Sequence, residues 1–191
     1  MARQRDETKI VDIQEAAMKL VIKTGFGGLK MAEVAKEAGI ATGTLYIYFK
    51  DKEALINQAY IVTKQEIAKA ILNPENQEIN FYDSFRKMWF AYMRFCMESP
   101  EKMLFVEQFL HSGYLSDASV EAGHLCFTPF VQFVAAAQEQ GFLRKIEVEV
   151  LQAQLMGPTH ELVKLGLERG MDWLEHQLET AFEMAWEAVR K

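Results

Sequence analysis

The sequence contains little cysteine and little proline, with 2 cysteines and 4 prolines among 191 residues. Cys96 and Cys126 form no CxxC pattern and no Cys/His cluster, so neither a structural zinc site nor a disulfide framework is expected. The four histidines show no i, i+4 pairing. The motifs G-x-S-x-G and HExxH and a Gly-rich phosphate loop are also missing. We therefore predict no metal, no cofactor and no enzymatic activity.

Long apolar runs are missing too. The longest run near the middle of the chain, residues 88–93, is far too short to cross a bilayer. The segment MARQRDETK is charged and lacks an apolar stretch, so no signal peptide is expected. Because free thiols persist in reducing compartments, we expect a cytoplasmic protein without a membrane partner.

Positive side chains are fewer than negative ones, and the formal net charge is −6. The charges are distributed unevenly along the chain. Residues 1–52 carry nine Lys/Arg against seven Asp/Glu, whereas residues 53–191 carry twelve against twenty. Arg3, Arg5, Lys30, Lys50 and Lys52 all lie in the mildly basic N-terminal part. This distribution is compatible with phosphate contacts made by the N-terminal part alone.

Residues 31–55, MAEVAKEAGIATGTLYIYFKDKEAL, have the pattern of two short helices joined by Gly39. Apolar residues recur at helical spacing before Gly39, and a glycine at this point suits a left-handed helix end. In a second helix over residues 42–49, Leu45 and Phe49 share one side, and the other side is small or aromatic and uncharged. This layout is typical of a helix-turn-helix whose second helix enters the DNA major groove.

The run from about Ile10 to Leu55 resembles the DNA-binding domain of the TetR (tetracycline-repressor-like) family of bacterial transcription regulators. The matching residues are Ile13, Ala16, Ala17, Gly25-Phe26, Val34-Ala35, Ala38-Gly39-Ile40, Gly43-Thr44-Leu45-Tyr46, Tyr48-Phe49 and Lys52-Glu53-Ala54-Leu55. This match covers about a quarter of the chain, and the remainder is similar to the family in length and helical character. Two positions depart from the family pattern: Lys30 and Ala41 replace the usual capping Ser or Thr, which costs about 1 kcal/mol each.

Eight residues are predicted to contact DNA: Lys30, Thr42, Gly43, Thr44, Tyr46, Ile47, Tyr48 and Lys52. The hydroxyls of Thr44 and Tyr46 suit phosphates or base edges, and Gly43 permits close backbone approach. Ile47 suits contact with a thymine methyl, and Tyr48 and Lys52 suit phosphates. Two alternatives remain open here: Lys30 can simply face solvent, and the tyrosines can pack against the first helix.

The helical patterns along the chain predict an all-α fold, and the resemblance implies an N-terminal three-helix helix-turn-helix domain and a C-terminal helical ligand-binding and dimerisation domain. We place the DNA-binding domain at residues 1–52 and the second domain at residues 53–191, with 53–72 as a connecting helix. Further helices are expected over residues 81–98, from Pro100 to near Gly113, over 118–140 with a break at Thr128-Pro129, over 147–168 with an interruption at Gly157-Pro158, and over 172–190.

The resemblance implies a small-molecule effector pocket within the C-terminal domain. Its aromatic and Met-rich composition suits an apolar or amphipathic ligand. The candidate pocket residues are Phe85, Met88, Trp89, Tyr92, Cys96, Met103, Phe109, Tyr114 and Phe127. Possible polar contacts are Arg94, His111, His124 and His160. The alternative for each residue is core packing, and for Arg94 also an internal salt bridge or a solvent-facing position.

Apolar stripes on the last two helices predict a homodimer through an intermolecular four-helix bundle. The candidate interface residues are Leu155, Leu162, Trp173, Leu174, Leu178, Ala181, Phe182 and Ala185. Two-fold symmetry then predicts a palindromic double-stranded DNA operator. The alternative is that both stripes are buried within one chain.

Together these features predict a sequence-specific DNA-binding regulator, a repressor released from its operator by a small apolar or amphipathic ligand. The competing hypothesis is a helical ligand-binding protein whose DNA-binding head no longer functions, which Lys30, Ala41 and Ile47 keep open. A third hypothesis is an oxidation sensor that uses Cys96, Cys126 or the methionines.

Overall fold

The computed structural model describes residues 2–110 and 113–191, without the side chains of residues 2–6 and 110. Ten α-helices and one short 3₁₀ helix, Pro74–Asn76, occupy these ranges. The α-helices are α1 Ala2–Gly28, α2 Met31–Glu37, α3 Thr42–Tyr48, α4 Lys52–Ile71, α5 Phe81–Glu98, α6 Pro100–Leu110, α7 Asp117–Leu125, α8 Thr128–Glu139, α9 Val148–Arg169 and α10 Glu175–Val189. No strand occurs in the described ranges apart from an isolated bridge between Leu143 and Arg190. The predicted all-α class is therefore confirmed.

The chain forms two compact units, each built from two stretches of sequence. Unit 1 consists of Met1–Gln65 and Glu101–Leu125, and unit 2 consists of Glu66–Pro100 and Cys126–Lys191. These bounds describe how the chain packs and do not assign a function to either unit. The assignment of DNA binding to residues 1–52, and of ligand binding and dimerisation to residues 53–191, stays a prediction.

In unit 1, the first three helices pack around a small apolar core. Gly25 has φ 69° and ψ 167°, a backbone region that is essentially restricted to glycine. This residue breaks the regular path of α1 and is followed by Phe26, which is buried. The fully or almost fully buried residues of the three helices include Ile13, Ala17, Val21, Val34, Ala35 and Leu45.

An aromatic cluster extends this core to the second stretch of unit 1. The ring of Phe26 lies 5.9 Å from the ring of Phe105 and 5.3 Å from that of Phe109, measured between centroids. Tyr60 of α4 stacks on Phe109 at 4.9 Å. Residues from α1, α4 and α6 therefore bury one another, and these contacts hold residues 101–125 against the N-terminal helices.

In unit 2, α5 packs against α9 and α10. Phe182 of α10 is fully buried, and its ring contacts those of Tyr82, Phe85, Trp89 and Phe90. Arg86 of α5 forms a two-pronged salt bridge with Glu179 of α10. The aromatic residues of α5 thus form the core of this unit.

Most predicted helix bounds are confirmed, and two need correction. The helix α5 spans Phe81–Glu98 as predicted, Pro100 opens α6, and the predicted break at Thr128-Pro129 separates α7 from α8. The predicted interruption of α9 at Gly157-Pro158 is wrong, because α9 continues through Pro158. Both residues are exposed, so water can satisfy the carbonyl that loses its partner at proline.

The second correction concerns α10, which begins at Glu175, three residues later than predicted. Gly170 ends α9 in the left-handed conformation with φ 58°, and the following residues connect the two helices.

Within the described ranges, no single helix has the length and apolar composition needed to cross a membrane. The bent pair formed by α7 and α8 reaches that length and composition only when the two helices are taken together.

Candidate nucleic-acid interface and ligand-binding body

The turn between α2 and α3 is a two-bond helix end made possible by Gly39. The backbone N–H of Ile40 donates to the carbonyl of Ala35 at 2.9 Å, and that of Gly39 donates to Lys36 at 3.2 Å. This pair of bonds defines a Schellman motif, which needs positive φ at its penultimate position. Gly39 supplies it with φ 68°. The left-handed helix end that the sequence predicts at Gly39 is confirmed.

The helix α3 separates a buried side from a solvent side, as the sequence pattern predicts. Leu45 is fully buried and Phe49, just after the helix, is 6% exposed. On the other side, Ile47 is 80% exposed and Tyr46 is 52% exposed. Thr42 and Gly43 are exposed, and Thr44 and Tyr48 are half-buried. The solvent side therefore offers hydroxyl and apolar groups without any charge of its own.

Both helices of the motif begin without a side-chain cap. Lys30 and Ala41 occupy the N-cap positions with extended backbone and no side-chain hydrogen bond to the helix, as the sequence predicts. Lys30 instead donates from Nζ to Oε1 of Glu33 at 3.1 Å. Exposed pairs of this kind contribute about 0–1 kcal/mol, so a DNA phosphate can replace the Glu33 carboxylate at little cost.

The start of α4, by contrast, has a side-chain cap. Asp51 caps it, since its Oδ1 accepts a hydrogen bond from the backbone N–H of Ala54 at 2.7 Å. The ammonium of Lys52 lies 3.4 Å from the carbonyl oxygen of Phe26 and 5.3 Å from the ring centroid of Tyr114. Lys50 is near Asp51 at 3.7 Å. The side chains of Arg3 and Arg5 lie outside the described residues.

The candidate pocket residues belong to both compact units. Met103, Phe109 and Tyr114 lie in unit 1, where Phe109 is fully buried in the aromatic cluster. The six in unit 2 are Phe85, Met88, Trp89, Tyr92, Cys96 and Phe127. The five residues of α5 in this set are buried, whereas Phe127 and Tyr114 are half-buried. Their role as a pocket stays a prediction.

Polar groups are embedded in the aromatic core of unit 2. The hydroxyl of Tyr92 lies 2.6 Å from Nε2 of His160. Burial raises the pKa of the Cys96 thiol to about 12, although a hydrogen bond with Tyr92 lowers it. The indole N–H of Trp89 is buried and has no hydrogen-bond partner. An unsatisfied buried donor of this kind is costly unless an acceptor reaches it.

The other predicted polar contacts have different surroundings. Arg94 is exposed and lines an open groove of about 720 Å³ together with Phe90 and Trp173. His124 is exposed, and His111 lies outside the described residues. In the part of the chain that the structure describes, no three His, Cys, Asp or Glu residues are grouped as metal ligands.

The candidate dimer residues divide into a buried and an accessible set. Leu155, Phe182 and Ala185 are buried within unit 2 itself, so their contacts are already made inside one chain. Leu162, Trp173, Leu178 and Ala181 are half-buried, and Leu174 is 59% exposed. The exposed apolar residues Val150, Leu167 and Met184 lie on α9 and α10. Leu167 belongs to the apolar stripe that the sequence predicts on α9, whereas Val150 and Met184 lie outside the predicted stripes.

Two short helices are joined by a Schellman turn, and the second of them has an uncharged solvent face. Together with the helical second unit, they define the class of helix-turn-helix DNA-binding regulators. Comparison with known proteins agrees: residues 13–59 match the family described as "Bacterial regulatory proteins, tetR family", and residues 81–190 match "Tetracyclin repressor-like, C-terminal domain". The chain belongs to the TetR family of transcriptional regulators. Members of this family are DNA-binding transcription factors and not enzymes, which agrees with the sequence prediction.

Several relatives resemble the chain over its whole length. An uncharacterised HTH-type transcriptional regulator of Haemophilus influenzae is 25% identical over 190 residues, which covers 99% of this chain and 100% of that protein. The structure of a TetR family regulator from Marinobacter aquaeolei VT8 has a TM-score of 0.92 at 26% identity, with 99% of each chain covered. One from Shewanella sp. PV-4 has a TM-score of 0.83 at 26% identity, with 96% of this chain and 98% of that chain covered.

Proposed function

We propose that this regulator is a homodimeric repressor that binds a palindromic operator and is released from it by a small apolar or amphipathic ligand. The observation that carries the DNA-binding part is the solvent face of α3. An 80% exposed isoleucine, Ile47, is costly in water on a short helix, and a thymine methyl in the major groove can cover it. Tyr46 and Thr44 add hydroxyls on the same helix for phosphates or base edges.

The contacts to phosphate come from three residues at the ends of the helices α2, α3 and α4. Lys30 precedes α2, Lys52 opens α4, and Tyr48 ends α3. These groups position the protein on the duplex without reading sequence. Because the regulator acts on chromosomal DNA, we place it in the cytoplasm.

Dimerisation is supported by the apolar residues that remain accessible on α9, on α10 and at Leu174 just before α10. Val150, Leu167, Leu174 and Met184 are each at least 45% exposed, and isolated chains rarely leave so many large apolar side chains in water on neighbouring helices. A second copy would cover them by two-fold symmetry. Two heads related by that symmetry read a palindrome with half-sites about 34–36 Å apart, or a multiple of that spacing.

The polar groups in the core of unit 2 support an amphipathic effector. The buried indole N–H of Trp89 has no partner, so a ligand that carries a hydrogen-bond acceptor would gain the bond that the folded chain leaves unmade. The neighbouring aromatic residues would bury the apolar part of such a ligand. Release from DNA requires that the ligand bind the DNA-incompetent conformation more tightly, because only differential affinity shifts a population.

The first experiment is selection of bound fragments from the source genome by the parent protein, by Tyr46→Ala and by Ile79→Ala. The last variant is the matched control, because Ile79 is a fully exposed apolar residue outside the head. We expect one palindromic site to be enriched by the parent and by Ile79→Ala but not by Tyr46→Ala. Equal enrichment by Tyr46→Ala would contradict the role of α3. Failure of the parent to enrich any site at low salt would favour a ligand-binding protein with a non-functional head.

The effector part is tested on the operator that this selection recovers. A panel of apolar compounds with and without a hydrogen-bond acceptor, such as long-chain alcohols, phenols and alkanes, is titrated against the complex. We expect the acceptor-bearing compounds to release the parent protein, and Trp89→Phe, which keeps a ring but loses the N–H, to lose that preference. A preference that is unchanged in Trp89→Phe would show that Trp89 is only a core residue.

A further inference from the structure

The ammonium group of Lys52 is held by neutral groups. The Phe26 carbonyl oxygen accepts a hydrogen bond from Lys52 Nζ at 3.4 Å, and the Tyr114 ring lies beneath that ammonium with its centroid at 5.3 Å. By contrast, Lys30 lies against the carboxylate of Glu33 and Lys50 lies near that of Asp51. A carbonyl and an aromatic face attract an ammonium without cancelling its charge. These two contacts therefore hold the Lys52 ammonium in a defined place without an ion pair of their own.

Tyr114 comes from a distant part of the sequence and is itself fixed at both its ring and its backbone. Its ring lies 6.0 Å from the ring of Phe26, which belongs to the aromatic cluster of unit 1. Its backbone carbonyl accepts a hydrogen bond from Nδ2 of Asn57 at 3.0 Å.

The other end of the Asn57 amide fixes the same loop. Oδ1 of Asn57 accepts hydrogen bonds from the backbone N–H and the hydroxyl of Ser116, each at 3.1 Å. One carboxamide on α4 thus holds residues 114 and 116 on either side. The loop cannot move without breaking bonds to the helix that begins with Lys52.

We propose that Tyr114 and Asn57 are positioning residues for a phosphate contact made by Lys52. This inference rests on the proposed DNA-binding function. A lysine has a flexible four-carbon stem and loses much rotamer freedom when it binds a phosphate. The Phe26 carbonyl and the Tyr114 ring restrict that freedom before DNA arrives, and an ammonium has three N–H donors, so donors remain for the phosphate. Asn57 holds the backbone of Tyr114 and so keeps its ring beneath the Lys52 ammonium.

The arrangement makes DNA affinity depend on a residue that no helix-turn-helix pattern includes. Tyr114 follows α6, and the next helix, α7, begins at Asp117. A displacement of this loop would therefore change the position of Lys52 while α2 and α3 keep their own packing. The expected signature is a change in phosphate contacts without a change in sequence preference.

The test is a double-mutant cycle between positions 114 and 52, measured by fluorescence anisotropy with a labelled duplex that carries the selected operator. Tyr114→Leu should weaken binding about three- to fivefold, and Tyr114→Phe, which keeps the aromatic face, should rescue it. Lys52→Met should weaken binding and lower the slope of log K against log salt by about 0.9 per lost phosphate contact. In the Lys52→Met background, Tyr114→Leu should have no further effect, because the group that it positions is gone.

Additive effects of Tyr114→Leu and Lys52→Met would overturn the inference, and so would an unchanged affinity in Tyr114→Leu. If Tyr114→Leu loses helical structure, trifluorophenylalanine at position 114 keeps the ring shape and weakens only its attraction for a cation. Affinity that ignores this fluorination would likewise overturn the inference. Asn57→Ala should lower affinity in the parent background and not in Lys52→Met, and an equal loss in both would exclude Asn57 as a positioning residue.

Failure of the inference can be distinguished from failure of the proposed function. If the parent binds neither the operator duplex nor a mixed-sequence duplex at low salt, the proposed function fails and the inference fails with it. If the parent binds the operator with a steep salt dependence but the cycle is additive, DNA binding stands and only the positioning role is refuted.

Discussion

The Cys96 thiol should be almost inert in the folded protein, although it belongs to the set of candidate ligand-binding residues. Cys96 is fully buried on α5, and burial raises its pKa from 9.0 to about 12, against a smaller lowering by its hydrogen bond with Tyr92. The reactive species in alkylation and oxidation is the thiolate. The reactivity of Cys96 is therefore tested by treating the folded protein with an alkylating reagent.

The expected slowing follows from ionisation and from nucleophilicity. At pH 8 a thiol with a pKa of 9 is about one-tenth ionised and one with a pKa of 12 about one part in ten thousand, a ratio near 10³. A more basic thiolate is also a better nucleophile, and a Brønsted coefficient of about 0.45 recovers about twentyfold over three pKa units. Ionisation and nucleophilicity taken together should thus slow the reaction about fiftyfold, and the need to open the buried site slows it further.

The assay uses Cys126→Ser, in which Cys96 is the remaining cysteine. The variant is treated with iodoacetamide at pH 8, and modification of the peptide that contains Cys96 is followed by mass spectrometry. The same variant in denaturing urea is the control and should react at the rate of an ordinary thiol. A folded rate within a few-fold of the unfolded rate would refute the reasoning. The expected result would leave Cys126 and the methionines as the sites for the oxidation-sensor hypothesis.

Three further predictions concern packing, capping and the buried polar pair. Phe182→Ala should destabilise the protein by about 3–5 kcal/mol, because it removes a fully buried ring; a loss below about 1 kcal/mol in urea unfolding would contradict this. Asp51→Ala should lower the free energy of unfolding by about 1 kcal/mol, because it removes the hydrogen bond to the Ala54 N–H. Asp51→Ser, which can still cap the helix, should retain most of that stability. Equal melting temperatures for the two variants would exclude capping. Tyr92→Phe removes the 2.6 Å contact between the Tyr92 hydroxyl and Nε2 of His160, so it should cost about 1 kcal/mol of stability, and unchanged thermal unfolding would show that water replaces the hydroxyl.

The helix-turn-helix could be predicted closely because its determinants are local. Gly39 occupies the one position of its turn that needs positive φ, and the spacing of Leu45 and Phe49 identifies the buried side of α3. The continuity of α9 through Pro158 could not be predicted in the same way. A proline in a helix removes one backbone hydrogen bond, and the free-energy cost depends on whether water can reach the carbonyl that loses its partner. The exposure of Pro158 to water is a property of the folded chain.

The stripe on α10 shows the limit of periodicity. The spacing of Leu178, Phe182 and Ala185 reveals an apolar face, but it does not reveal what covers that face. The side chains of α5 in the same chain cover Phe182, so the face that a second copy can reach lies nearer to Leu174 and Met184. Exposed apolar residues on the other side of a helix carry little periodic signal, and only their accessibility identifies them.

The positioning residues were beyond sequence analysis for a different reason. Asn57 and Tyr114 are far apart along the chain, and neither belongs to a motif. Their hydrogen bond depends on the return of residues 101–125 to the N-terminal helices. The candidate DNA-contacting residues of α3 follow from one short helix, whereas the contacts around Lys52 depend on residues that are far apart in the sequence.

That return of the chain has a consequence for building hybrid regulators. A cut after the connecting helix would transfer Phe26 and Tyr60 into a new host without Phe105, Phe109 and Tyr114, the rings that they pack against. The transplanted head would expose two large aromatic side chains and leave Lys52 without its aromatic support. The packing of the N-terminal helices in this chain therefore does not transfer with residues 1–72 alone: a stable graft must carry Glu101–Leu125 as well, or must find the same rings in its host.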